Sequence, residues 1–346
     1  MVTRILALTL GSLALLSVSG CGGDATESGS DRLTLGVYTT PREAYGRAIL
    51  PAFRRHRLDA TGRDVVFRES YLASGAQARA IVGGFEADVA LLSLEPDIET
   101  LRAAGLVRDD WSRGEHAGIV TRSVVVIGVR EGNPRGLRSW RDLARPGVEV
   151  LTPNARTSGG AMWNILAVYG AAMRGHAGSA AGDRDAAIEL LASILANVRI
   201  MDRSGRDSML TFERGVGDAI ITYENEILVG RSNGQRYDYV VPESTILIEN
   251  PAAVVDAYAD RHGTRELARA FVEFLWTPEA QRAYAEHGLR PVDEGVAREV
   301  DGRFPSVADL FTIRDLGGWA EMRRAVFDEG GVYERALARR GAQAPR

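Results

Sequence analysis

The sequence of 346 residues contains no lysine and a single cysteine. Every permanently cationic side chain is therefore an arginine, and a Walker-type phosphate loop is excluded because it requires a lysine. With only Cys21 available, no intramolecular disulfide can form. The formal net charge is −4, whereas nucleic-acid-binding domains usually carry a basic surface, so we expect no nucleic-acid partner.

Long hydrophobic runs are also scarce. Residues 5–18 are predominantly apolar, but this run is shorter than the ~20 residues that a transmembrane helix needs. Arg4 precedes the run, and the small residues Ser19 and Gly20 lead into Cys21, which is the three-part plan of a secretory signal. The position of Cys21 resembles a bacterial lipobox, which implies cleavage after residue 20 and lipidation of Cys21. The alternative is an ordinary cleaved signal in which the cysteine occurs by chance.

Lipidation would explain why an exported protein carries one unpaired thiol. Residues 22–31 are small and polar, a composition typical of a flexible tether. Stable anchoring generally requires more than one lipid chain, each contributing ~0.8 kcal/mol per buried methylene. We therefore expect an exported lipoprotein held at the periplasmic or extracytoplasmic face of a membrane, with residues 1–20 as signal peptide and 21–31 as anchor and tether.

From residue 33 onward, strand-like runs alternate with helical patterns. Residues 33–38, 64–69 and 88–94 predict strands separated by helices, a rhythm typical of an α/β fold with parallel strands. Residues 123–129 are apolar on both faces, as in a central strand. Further helices are predicted at 41–55, 75–83, 159–173, 183–197, 264–276, 278–287 and 319–327, and further strands at 149–151, 198–201, 219–223, 239–242 and 245–248. The length from residue 32 exceeds that of a usual single domain, which predicts two lobes.

Four predicted helix starts carry small polar residues just beyond a strand. Thr40 to Glu43 and Ser74 to Gln77 have the spacing of capping boxes. Ser158-Gly159-Gly160 opens a third helix with paired glycines, which cost ~1 kcal/mol each in helix propensity, and Gly205 begins a fourth. Helix N-termini present free N–H groups and partial positive charge, so their convergence would form an anion site. Each of these four segments, taken alone, is also compatible with an ordinary helix start.

Several separated blocks resemble the periplasmic sulfate-binding proteins of ABC importers over residues 33–327. The most specific is TPNARTSGGAMWNILAVYG at 152–170, followed by ERGVGDAIITYENEIL at 213–228. The resemblance implies an α/β, two-lobed periplasmic-binding-protein fold of type II, with hinged lobes and the ligand in the cleft. Lobe one would comprise residues 32–122 plus 243–346, and lobe two residues 123–242.

The resemblance also implies a function: a lipid-anchored, monomeric substrate-binding component that captures sulfate by backbone amides and hydroxyls and delivers it to a membrane permease. No cofactor, metal or catalytic residue is expected. The positions carried over as ligand-binding are Thr39, Ser74, Gly75, Ser158, Gly159, Gly160, Gly205 and Tyr223.

The sequence departs from the family pattern at three places. Thr39 replaces an aspartate, Leu72-Ala73 replaces a glycine pair, and Tyr223 replaces the tryptophan whose indole N–H reaches the anion. A phenol can donate one hydrogen bond but can also accept one. Sulfate carries no proton near neutral pH, so a site made only of donors would favour it over protonated phosphate, which leaves a donor unpaired at ~1–3 kcal/mol. Arg156, near the glycine pair, either supplies charge or lies on the surface.

Other interpretations remain open. The ligand could be thiosulfate, molybdate, tungstate or phosphate, and the protein could be an anion sensor without transport. An enzyme is the alternative from another class, because Glu224 and Glu226 flank Asn225 and could act as an acid and base pair. Since both glutamates belong to a block shared with the resembled family, we expect a structural or hinge role for them. The histidines, at 56, 116, 176, 262 and 287, show no metal-ligand spacing.

Overall fold

The computed structural model describes residues 30–343. Cys21, the predicted signal peptide and most of the predicted tether lie outside the described residues. Within the described part of the chain, no helix is both long and apolar enough to cross a membrane.

Strands and helices alternate as the sequence predicts, and the α/β class is confirmed. The strands are β1 (Ser30–Tyr38), β2 (Asp64–Leu72), β3 (Val89–Leu91), β4 (Ile119–Arg130), β5 (Val150–Leu151), β6 (Val198–Ile200), β7 (Ala219–Tyr223), β8 (Tyr237–Val240), β9 (Ser244–Val254) and β10 (Asp309–Phe311). The helices are α1 (Arg42–Ala44), α2 (Leu50–Thr61), α3 (Ser74–Val82), α4 (Glu95–Ala103), α5 (Gly159–Met173), α6 (Arg184–Ala196), α7 (Gly205–Glu213), α8 (Glu224–Ser232), α9 (Asp256–His262), α10 (Arg265–Phe274), α11 (Pro278–Glu286), α12 (Glu294–Glu299), α13 (Gly318–Met322) and α14 (Val332–Gln343). A π-helical turn (Tyr45–Ile49) joins α1 to α2, and another (Arg323–Phe327) follows α13.

The strands form one curled sheet in the order β2-β1-β3-β9-β4-β7-β5-β6, with β10 beside β9 and β8 beside β4. β1 is parallel to β2 and β3, and β5 is parallel to β6 and β7. We call β2, β1, β3 and the helices that pack on them the first half, and β5 to β8 with their helices the second half.

β4 and β9 belong to both halves. β4 pairs with β9 over residues 119–124 and then with β7 and β8 over residues 125–130. β9 pairs with β10 at its start and with β3 at its end. Ten of the eleven positions from Ile119 to Val129 are buried, the exception being Arg122, which agrees with the central strand predicted from its apolar residues.

Each half has its own apolar core. In the first half, Phe53 packs between Phe271 and Phe274 at ring-centroid distances of 5.1 and 5.4 Å. In the second half, Trp163 packs edge-on against Trp319 at 4.8 Å. Phe311, α13 and α14 share this second core, and α14 packs on α6. The C-terminal segment from β10 onward therefore packs with the second half, although the sequence analysis grouped it with lobe one.

Two predicted capping boxes are wrong. Helix α1 begins at Arg42, with Pro41 at the N-cap and no side-chain cap, so Thr40 does not cap it. Helix α3 begins at Ser74 itself, with Ala73 at the N-cap. The hydroxyl of Ser74 makes tertiary hydrogen bonds instead, which compete with local capping.

The other two predicted helix starts are confirmed. Helix α5 begins at Gly159, and Ser158 at its N-cap accepts a hydrogen bond from the Ala161 N–H at 3.4 Å. Helix α7 begins at Gly205, and the Ser204 hydroxyl accepts from the Asp207 N–H at 3.1 Å. Both caps hold the first turn in place, so the amides of the first residues point out of the helix end.

The packing of α5 on β10 leads to a stability prediction. A Cβ on Gly170 would lie 2.5 Å from Cζ of the buried Phe311, so we expect Gly170→Ala to lower the free energy of unfolding by ~1–3 kcal/mol through overpacking. The control is Gly46→Ala, whose Cβ meets nothing within 4 Å. Urea denaturation measures both, and equal stability of the two variants would contradict the close packing.

Candidate anion-binding site

Ser93, between β3 and α4, is 1% exposed and uses every polar group that it has. Its N–H donates to Ser74 Oγ at 2.8 Å. Its carbonyl accepts from Trp163 Nε1 at 3.0 Å and from Asn250 Nδ2 at 3.1 Å. Its hydroxyl lies 2.7 Å from the Tyr223 hydroxyl. Ser93 therefore joins the start of α3, helix α5, strand β9 and the end of β7.

The glycine pair of α5 packs directly against this serine. A Cβ on Gly159 would lie 2.7 Å from Ser93 Oγ and 2.9 Å from Leu94 Cγ, closer than real Cβ atoms approach. A Cβ on Gly160 would lie 3.4 Å from Cε1 of Tyr223. The absence of a side chain at Gly159 thus allows the first turn of α5 to touch the residues that lead into α4.

The remaining predicted positions lie around the same place. A Cβ on Gly75, in the first turn of α3, would lie 3.4 Å from the Thr157 carbonyl oxygen. A Cβ on Gly205 would lie 3.5 Å from Thr40 Oγ1, and Thr39 precedes Thr40 in the loop between β1 and α1. The structure therefore brings all the predicted site residues to one region, where the two halves meet.

Five helices of nine residues or more begin in this region: α3, α4, α5, α7 and α8. Each N-terminus carries amides without an intrahelical partner and a partial positive charge of roughly half an elementary charge. Such ends favour an anion without placing a full cation beside it. This arrangement can bind a small oxyanion through backbone N–H groups.

From the sequence we expected the Ser74 hydroxyl to donate to the ligand, but in the structure it bonds within the protein. It donates to Asp97 Oδ2 at 2.5 Å while accepting from Ser93, so its only proton is engaged within the protein. Burial raises the pKa of Asp97 to about 6, although the hydrogen bond from Ser74 opposes this. Sequence reasoning missed Asp97 because it did not predict α4, whose signal is Pro96 between two acidic residues.

Tyr223 keeps a proton that can serve a ligand. Burial raises the pKa of its phenol, so the hydroxyl stays protonated near neutral pH. The two hydroxyls of Tyr223 and Ser93 carry two protons, and the single hydrogen bond between them uses one. The other proton is available for donation to an anion.

Two arginines near the site are paired with carboxylates. Arg206 Nη2 lies 2.5 Å from Glu43 and its Nη1 lies 3.1 Å from Glu226. Arg290 holds Glu224 by two bonds of 2.7 and 3.0 Å. Burial raises the pKa of Glu226 to about 7, with Arg206 opposing the shift. Glu224 and Glu226 each face an arginine from a different part of the fold, which supports a structural role over an acid and base pair.

Two further candidate features are an exposed arginine and a cavity apart from the predicted site residues. Arg156 is exposed, and its N–H bonds to Asn154 within the same loop. A cavity of about 1060 Å³ opens among Arg32, Arg68, Glu86 and His262 and contains none of the predicted site residues. Among residues 30–343, no cluster of three or more His, Cys, Asp or Glu side chains could hold a metal ion.

The chain is similar to known proteins over most of its length. A family model described as bacterial extracellular solute-binding protein matches residues 33–290. The sulfate-binding protein of Synechococcus elongatus is 39% identical over 333 residues, which cover 94% of this chain and 93% of that protein. The thiosulfate-binding protein of Pseudomonas aeruginosa is 31% identical over 329 residues, which cover 93% of this chain and 97% of that protein.

The solved structure of the sulfate-binding protein SubI from Mycobacterium tuberculosis superposes with a TM-score of 0.79 at 40% sequence identity. The match covers 86% of this chain and 99% of SubI. It confirms the predicted periplasmic-binding-protein fold, with a curled sheet flanked by helices. The chain therefore belongs to the bacterial extracellular solute-binding proteins, among the relatives of the sulfate-binding proteins.

Proposed function

We propose that this protein is the lipid-anchored, substrate-binding component of an ABC importer and that its cargo is sulfate. The observation that carries the proposal is the meeting of helix N-termini around Ser93, with Gly159 and Gly160 in the first turn of α5. Relatives that are 39% and 40% identical are named sulfate-binding proteins. The positions expected to donate to the anion are Thr39, Gly75, Ser158, Gly159, Gly160, Gly205 and Tyr223, with Ser74 shaping the site.

Sulfate fits the chemistry of these groups better than phosphate does. The helix ends offer N–H donors, and Oδ2 of the Asp97 carboxylate accepts from Ser74. If the ligand meets only donors, a protonated phosphate brings a hydroxyl that finds no acceptor, and an unpaired buried polar group costs ~1–3 kcal/mol. Thiosulfate is the second candidate, because a thiosulfate-binding relative covers almost the whole chain.

We propose further that the two halves are lobes and that β4 and β9 form the hinge between them. These strands carry the chain from one half to the other near residues 122 and 243, as the resemblance implies. Bending at these positions would open the region around Ser93. The lobe division of the sequence analysis stays a proposal with one revision. We assign the segment from Asp309 onward to lobe two, because its apolar residues pack in the second core.

The ligand is tested by thermal unfolding of the lipid-free protein with a panel of oxyanions. We expect sulfate to raise the melting temperature, since a ligand at 100 times its Kd stabilises the folded state by ~2.7 kcal/mol. Phosphate should have little effect between pH 6 and 8. Sodium chloride at matched ionic strength is the control. If thiosulfate or molybdate raised the melting temperature and sulfate did not, the assignment of sulfate as the cargo would be wrong.

The site itself is tested by Gly159→Ala. The added Cβ would collide with Ser93 and Leu94, which moves the first turn of α5, so we expect sulfate affinity to fall about 100-fold, equivalent to ~2.7 kcal/mol. Gly302→Ala is the matched control, because Gly302 is exposed and its Cβ would meet nothing within 4 Å. Isothermal titration measures both variants. Wild-type affinity in Gly159→Ala would place the anion elsewhere.

The anchor is tested by Cys21→Ser in the full-length chain. We expect the wild-type protein to fractionate with membranes and to begin, after processing, with a lipid-modified Cys21. The variant should be released from the membrane fraction, because no acceptor remains for the lipid chains that hold the protein there. Mass spectrometry of the mature N-terminus identifies the modification. A wild-type N-terminus without lipid would refute the anchor and leave the ligand proposal intact.

A further inference from the structure

Asn250, on β9, is a further member of the hydrogen-bond network at Ser93. It is 1% exposed, and its Nδ2 donates to the Ser93 carbonyl at 3.1 Å. Its Oδ1 accepts from the hydroxyl of Thr121 on β4 at 3.3 Å. Because a carbonyl can only accept, the amide nitrogen of Asn250, and not its oxygen, must face Ser93. These two partners fix the orientation of the Asn250 amide group.

The second N–H of Asn250 serves the phenol of Tyr223. Burial raises the pKa of this phenol, and hydrogen bonds from the side chains of Ser93 and Asn250 oppose the rise. A hydrogen bond lowers the pKa of a phenol when it is donated to the phenol oxygen, because it then stabilises the ionised form. The Tyr223 oxygen therefore accepts from the Asn250 amide and cannot donate its own proton to it.

The hydroxyls of Tyr223 and Ser93 hold one proton more than the hydrogen bond between them uses. Their oxygens are 2.7 Å apart and share one of the two protons. The Ser93 carbonyl already accepts two N–H groups, from Trp163 and Asn250. The first turn of α5 lies beside the pair, since a Cβ on Gly159 would lie 2.7 Å from Ser93 Oγ. None of these described partners is left to accept the remaining proton, which is available to an anion at the start of α5.

We infer that Asn250 is a positioning residue that sets the direction of the Tyr223–Ser93 hydroxyl pair: because Asn250 presents an N–H to the pair, the pair presents a proton to the anion. An indole N–H points in one fixed direction, whereas each hydroxyl can rotate and can accept as well as donate. With an acceptor at position 250, the pair would turn its proton inward and offer a lone pair to the ligand. Asn250 thereby determines whether this edge of the site prefers an anion without protons. The inference rests on the proposed function, because it requires an oxyanion beside α5.

The test is a double-mutant cycle, measured by isothermal titration of the lipid-free protein with sulfate. Asn250→Asp replaces the N–H by a carboxylate oxygen in a side chain of nearly the same shape, and Tyr223→Phe removes the hydroxyl that is to be directed. We expect Asn250→Asp to weaken binding about 30-fold in the wild-type background and about threefold in the Tyr223→Phe background. The coupling of about tenfold is equivalent to ~1.4 kcal/mol. The control is Asn233→Asp at the exposed C-cap of α8, which adds the same charge and should leave the affinity unchanged.

Asn250→Ala repeats the cycle without an added charge, and it decides the question alone if Asn250→Asp does not fold. We expect a loss of about fivefold in the wild-type background and of less than about twofold with Tyr223→Phe. Selectivity at pH 6, where phosphate carries a proton, is the second readout. Asn250→Asp should lower the ratio of the phosphate Kd to the sulfate Kd about tenfold, because a lone pair of the hydroxyl pair then accepts the phosphate hydroxyl.

Equal losses in the two backgrounds would show that Asn250 acts only as a structural support of Ser93 and Thr121, and would overturn the inference. An unchanged ratio of phosphate to sulfate affinity in a folded Asn250→Asp variant would overturn it as well. If the wild type binds thiosulfate and not sulfate, the assignment of the cargo fails, and the same cycle measured with thiosulfate decides the role of Asn250. If the wild type binds none of the oxyanions, the proposed function and the inference fail together.

Discussion

The hydrogen bonds of Ser93 hold the site together. This buried residue is bonded through its amide, its carbonyl and its hydroxyl, and its partners come from α3, α5, β7 and β9. An unsatisfied buried polar group would cost ~1–3 kcal/mol, so each partner restricts where the others can lie. Gly159 can then approach only because it lacks a Cβ. The positions of the starts of α3, α5 and α8 depend on this network.

Two arginines near the site are paired with carboxylates, and the partial charges of the helix ends remain available to the anion that we propose. Arg206 and Arg290 are each held by carboxylates, and the helix ends supply the remaining positive potential through their peptide dipoles. A fixed array of dipoles needs no rearrangement when an anion arrives, whereas a free arginine would also attract other anionic groups. Selectivity in such a site comes from the match between donors and the acceptor oxygens of the ligand.

The sequence predicted the features that depend on local chemistry. The run of residues that are apolar on both faces identified β4. Ser158 and the glycine pair after it identified the start of α5. The capping predictions at Thr40 and Ser74 failed because a capping pattern cannot show whether a hydroxyl bonds to its own helix or to a distant residue such as Asp97. Ser93 carries no sequence signal of its own, since its role arises from partners 19 to 157 residues away.

The pairing of β3 with β9 has a consequence for how the chain folds. Leu91 and Ala252 are opposite one another in the sheet although 161 positions separate them. The inner edge of β3 therefore stays unpaired until the chain between them, including most of the second half, has been made. Closing such a long loop is entropically expensive and slows folding. The first half begins the sequence, yet its sheet is completed only after the strands of the second half are available.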